Sequence, residues 1–157
     1  MRKMSLGFEI DLMRVRYYCS VATPLTDTSK VVPGTRIINR DSISLNQVCT
    51  FISGNDDGTS IVYVINGDLH ETKYEHPFND WYFYEENVAK RCCEIFKPKL
   101  FQVHIPTLGF STVIAELNES RVKRVLAHEY HLMPVSILSA RISEISEVNG
   151  FKVEVKH

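Results

Sequence analysis

Residues 128–131, His128-Glu129-Tyr130-His131, place two imidazoles, a carboxylate and a phenol within four positions. Such a set could hold a metal ion and activate a water molecule. The zinc-hydrolase arrangement is H-E-x-x-H, with the histidines one helical turn apart and the glutamate as base. Here the second histidine comes one residue early. On a helix the pair at i and i+3 still converges, but Pro134 follows closely and disfavours helix just before it. In an extended segment His128 and Tyr130 share one face while Glu129 and His131 take the other. We read the segment as a polar junction after a short helix. His128 and His131 stand as candidate metal ligands that would also need His70, His76 or His104 nearby. No cofactor is expected.

Other chemistry is sparse. "VHIPT" at 103–107 has the threonine one position late for the H-x-T strand of two-histidine phosphoesterases, and there is no second copy. No G-x-S-x-G, P-loop or G-x-G-x-x-G occurs. The four cysteines, Cys19, Cys49, Cys92 and Cys93, show no C-x-x-C spacing, and adjacent cysteines do not readily bond to each other. They read as reduced thiols, with Cys92 at a core-facing helical position rather than as a nucleophile.

Two sets of residues could bind a macromolecule. "NDWYFYEE" at 79–86 carries four aromatics in a row. A helix cannot bury four consecutive side chains, so Trp81, Tyr82 and Tyr84 are candidates for contact with a protein partner. The basic residues Lys30, Arg36 and Arg40, with Arg121, Lys123 and Arg124, could instead hold a phosphate backbone. Arg36 and Arg40 share strand parity with Ile38 and are expected to face solvent together. Against nucleic acid stand a formal net charge of -1 and the acids Asp56, Asp57 and Asp68 near hairpin ends.

The elements that must carry these residues are short. At 157 residues, 44% hydrophobic and 24% charged, the chain suits an ordinary globular domain, or two small ones sharing a core. Alternation over 8–21 predicts two strands with a break near Met13. "GTRIIN", "NQVCTFIS", "TSIVYVIN" and "LHETKY" predict four more, joined by turns at "GNDDG" (54–58) and "NG" (66–67). From Asn79 or Asp80 the spacing of Tyr84, Val88, Cys92, Ile95 and Phe96 predicts a helix that Pro98 stops. "LFQVHIP" and "GFSTVIAEL" predict strands. "NESRVKRVLA" predicts a short helix capped by Asn118 or Ser120, and "PVSILSARIS" and "FKVEV" complete the strands, with a turn at "VNG" (148–150). The fold class expected is α+β and β-rich, with a small antiparallel barrel or curled sheet, a central helix, and a second antiparallel element with one short helix. The organisation expected is an N-terminal β subdomain over 1–78, a connecting helix over 79–97, and a C-terminal α+β subdomain over 98–157. The start "MRKMSLGFEIDLM" meets Glu9 and Asp11 before any long apolar run, so neither a signal peptide nor a membrane span is expected. The default location is cytoplasmic, the host cytoplasm for a viral chain.

The succession "PGTRIIN", "QVCTFIS", "DGTSIVYVING" and "KYE" resembles the strand order of SH3-like barrels of the Tudor or KOW type, over roughly residues 30–78. In its short, Ile- and Asn-rich character the chain also resembles small accessory proteins of tailed phages. Both resemblances imply binding without catalysis. The expectation is a binding protein that modulates a protein partner, a host enzyme if the chain is viral. The alternative is a DNA- or RNA-binding accessory protein using Lys30, Arg36, Arg40, Arg121, Lys123 and Arg124. A third reading is a metal-dependent hydrolase at His128 and His131. The sequence is compatible with a homodimer but does not specify one.

Overall fold

The computed structural model describes residues 5–56, 59–73, 80–148 and 151–152. The architecture is α+β, with two antiparallel sheets of five and three strands, a two-stranded ribbon and four α-helices among the described residues. The chain divides into two compact units, Phe8–Ile95 and Met1–Gly7 with Phe96–His157.

Helix α1, Leu6–Val21, of which all but the first two residues belong to the first unit, stands where alternation predicts two strands. Its buried residues Ile10, Val15 and Tyr18, with Ala22 just beyond, follow at steps of five, three and four, close to the helical repeat. Half-buried apolar residues lie between them on both sides, and these hid that repeat behind an apparent period of two. An Asp11–Arg14 ion pair (3.9 Å) spans one turn.

The four predicted strands are present as β1 (Arg36–Asn39), β2 (Cys49–Gly54), β3 (Ser60–Ile65) and β4 (Asp68–Lys73). β3 and β4 close tightly because Asn66 (φ 53) and Gly67 (φ 81) both take left-handed backbone, which lets Ile65 pair directly with Asp68. β2 and β3 form the other expected hairpin, although Asp57 and Gly58 of its turn lie outside the described residues. β5, Trp81–Phe83, joins β1 on the far side, giving the order β4-β3-β2-β1-β5. Tyr63 on β3 and Trp81 on β5 are three strands apart, which a flat sheet would separate by about 14 Å. Their ring centroids are 4.8 Å apart, so the sheet is strongly curled.

Both faces of the β1–β5 pair are covered. On one, Ile38 and Tyr82 pack with Val15, Tyr18 and Ala22 and with Ala89 and Cys92 of α2, Glu86–Ile95. On the other, Ile37 and Trp81 pack with Leu25, Cys49, Phe51 and Ile61. The predicted helix is therefore present only from Glu86. The aromatic run before it is a strand, because a strand between two cores buries successive side chains, which no helix face can do.

In the second unit β6 (Lys99–Ile105) pairs with β7 (Phe110–Glu116) and with β8 (Arg141–Ile145). Phe101, Val103 and Ile105 are buried on one face, as the alternation predicts. Helix α3, Glu119–His128, lays Val122, Val125 and Leu126 against them, and Asn118 caps it by accepting from the Arg121 N–H at 2.9 Å. The segment predicted as one strand from Pro134 is instead a short helix, α4 (Pro134–Leu138), followed by β8. Pro134 sits at its first turn, where the missing N–H costs nothing and the fixed φ suits helix. β9 (Glu147–Val148) and β10 (Phe151–Lys152) pair across the predicted 148–150 turn, whose Asn149 and Gly150 lie outside the described residues, as do residues 153–155 of "FKVEV".

Candidate interaction surface

Within each unit the residues singled out by type do not assemble into one site. Trp81 and Tyr82 were expected at an exposed aromatic patch, yet they are only 3% and 5% exposed and belong to opposite cores of the curled sheet. Tyr84 is half-buried, its ring stacked on Tyr18 at 6.1 Å and covered by the Arg36 guanidinium at 4.5 Å.

Arg36 and Arg40 do share parity with Ile38, but that face is the one packed against α1 and α2. Their guanidinium groups reach solvent at its rim by lying along tyrosine rings. Arg40 donates to the Tyr82 hydroxyl at 2.6 Å and pairs with Asp80 at 3.5 Å. The hydrogen bond it donates to the Tyr82 hydroxyl and then the Asp80 charge hold Arg40 firmly protonated. Burial pushes the Asp80 carboxyl up by more than Arg40 pulls it down. Lys30 lies within 3.6 Å of Asp27. In the other unit Arg121 donates to the buried Glu116 at 2.7 Å, and Lys123 lies 4.0 Å from Glu119. Four of the six basic candidates thus already have a carboxylate beside them.

The His128–His131 segment is a helix terminus. Glu129 donates back to the Val125 carbonyl at 2.8 Å, His131 turns into left-handed backbone (φ 55), and the Leu132 N–H then reaches the Leu126 carbonyl at 3.1 Å. Histidine enters that conformation more readily than most non-glycine residues. The two imidazoles thus belong to the end of α3 and to the turn beyond it. Among the described residues no group of three or more His, Cys, Asp and Glu side chains is placed to hold a metal ion. Burial pushes Cys92 up, and pushes Cys19 and Cys49 to about 11, so these thiols stay protonated at neutral pH.

A different surface follows directly from the turn at His131. It redirects the chain so that Leu132 and Ile137 pack into the core beneath α3. Their neighbours Met133, Val135 and Leu138 then point outward, 67%, 73% and 82% exposed. Topology brings more apolar surface to the same end of the three-stranded sheet. The β6–β7 turn, Pro106–Leu108 with Gly109, ends beside the start of β8, since His104 pairs with Arg141. Leu108 is half exposed in that turn, and Tyr130 meets Phe110 edge-on at 5.3 Å. Sequence reasoning missed this surface because it took 134–143 as a strand. A proline at a helix start, with Val135 and Leu138 three apart around an inward Ile137, was the available signal.

No family model, no curated protein and no solved structure matches the chain.

Proposed function

We propose that the chain is a non-enzymatic binding protein that modulates a protein partner, and that it meets the partner through Met133, Val135 and Leu138. The observation that supports this reading is the exposure of Val135 and Leu138 on one short helix and of Met133 just before it, with Leu108 and Tyr130 at the same end of the sheet. Large apolar side chains left exposed close together in sequence mark interaction sites in soluble proteins when they form a patch. Covering each of the three would contribute roughly 1–2 kcal/mol. Such a surface offers no means of reading a phosphate backbone, and a partner covered by it would lose whatever that patch of its own surface does. An inhibitory or modulating role follows from that occlusion, on a host enzyme if the chain is viral.

The test is retention of proteins from native lysate on immobilised full chain, compared with a Val135→Asp, Leu138→Asp variant whose circular dichroism and melting match the wild type. A protein should be held by the wild type, at least about tenfold less by the variant, and equally with or without nuclease; tenfold corresponds to about 1.4 kcal/mol. Equal retention by the variant, or retention that nuclease abolishes, overturns the proposal.

A further inference from the structure

The two larger sheets have four outer edges, and three of them are defended. β4 carries Asp68, His70, Glu71 and Lys73 along its edge. β5 is covered by main chain: Leu25 donates to the Trp81 carbonyl and Phe83 to that of Thr23, both at 2.9 Å, with Pro24 bridging Tyr82. β8 carries Arg141 and Glu144. Among the described residues β7 shows none of these devices. Its sequence FSTVIAE holds no proline, no lysine and no ionised residue before Glu116. Among the described residues no main-chain hydrogen bond leaves Phe110–Ala115 on the side away from β6. A long, uncharged, β-branched edge is a template for another strand.

The side chains say which strand fits. Paired antiparallel with itself about Val113, the segment sets Ser111 against Ala115, Thr112 against Ile114, and Val113 against Val113. No like charges meet. The one carboxylate, Glu116, falls opposite Phe110, and the two copies of it lie about 20 Å apart at the ends of the ladder. A parallel pairing is slightly less stable per residue. Val113, 49% exposed, would be covered by its own counterpart. We propose that β7 pairs antiparallel with β7 of a second copy of this chain about Val113, extending the three-stranded sheet to six strands.

A single strand pair is a small interface, so the dimer should form as a concentration-dependent equilibrium. Sedimentation of the full chain should show the mass rising from 18.0 kDa towards twice that value as concentration increases. Val113→Lys, which places two ammonium groups face to face at the two-fold axis, should hold the chain at the monomer mass. A second readout does not depend on that variant folding. In a Cys93→Ser background, Val113→Cys should form an intermolecular disulfide under mild oxidant, because residues directly opposite on antiparallel strands have Cα atoms about 4.5–5.5 Å apart, within the span a disulfide bridges. Leu108→Cys in the same background should not. The Val135→Asp, Leu138→Asp variant should dimerise like the wild type, which separates this proposal from the partner surface above. Monomer at every concentration would leave the edge to a foreign strand and overturn the proposal. So would unaltered association of folded Val113→Lys, loss of the dimer in the α4 variant, or cross-linking at Leu108 in place of Val113.

Discussion

Tyr18 ties three segments of the first unit together through one hydroxyl. It donates to the Phe83 carbonyl at 2.6 Å and accepts from the Glu85 N–H at 2.8 Å, joining α1 to the end of β5 and the approach to α2. The side chain is fully buried, and burial pushes its ionisation from 10.0 up to about 12. A phenol whose folded value lies above its unfolded one stabilises the fold below pH 10 and loses that contribution as pH rises towards 12. Tyr18→Phe leaves a buried carbonyl and N–H without their partner, and should cost about 2 kcal/mol at pH 8. That difference from wild type should narrow between pH 10 and 12, which urea denaturation across the range would measure. Nothing in "RVRYYCSV" marks Tyr18 for this role over Tyr17. The choice depends on which side chain the helix turns inward, and the local alternation predicts strand there. His128 and His131 were legible only as reactive types. Their place at a helix end followed in part from Pro134, but the left-handed backbone at His131 did not.

At the scale of elements, β2 is held to the preceding loop by a clasp at Gly54. Thr28, buried in a one-turn helix that Asp27 caps, donates its hydroxyl to the Asn55 carbonyl. A Cβ on Gly54 would lie 2.6 Å from the Thr28 Oγ1 and 2.7 Å from its Cβ. Neither atom belongs to a flexible end, so the clasp must open. Gly54→Ala should destabilise by about 1–3 kcal/mol and lower the melting temperature by several degrees, as calorimetry would show. The hairpins around this clasp were legible because turn chemistry is local: Asn66-Gly67 specifies its own geometry. Helix α3 was legible for the same reason, with a cap at Asn118 and three apolar residues at helical spacing. The misread elements are α1, β5 and α4, where a tertiary surface decides between strand and helix. Trp81 and Tyr82 became strand only because cores exist on both sides of the sheet, and no local pattern announces that.

For the whole molecule, charge distribution is the deciding property. The formal net charge is -1, and Lys30, Arg40, Arg121 and Lys123 each lie within 4.0 Å of a carboxylate. A polyanion would have to displace those carboxylates before it could gain from the cations. Fluorescence anisotropy with labelled single- and double-stranded DNA and RNA should therefore show no binding tighter than roughly 100 μM at physiological salt. Tighter, salt-dependent binding lost on charge reversal at Arg36 would restore the nucleic-acid reading. The α+β class and the two antiparallel sheets were legible from short alternating runs and their turns. The apolar end of the second unit was not, since it arises from where the chain reverses rather than from any run of hydrophobic residues. No helix among the described residues is long and apolar enough to cross a membrane.

The curl that brings Tyr63 onto Trp81 has an optical consequence. Trp81 is the one tryptophan in the chain, and it sits among Leu25, Ile37 and Phe51 inside the first unit. Its emission reports on that interior. A fluorescence-detected unfolding curve is thus a measurement of residues 8–95, whereas far-ultraviolet dichroism sums the helices and strands of both units. The chain carries its own label for telling the two apart, with no dye attached.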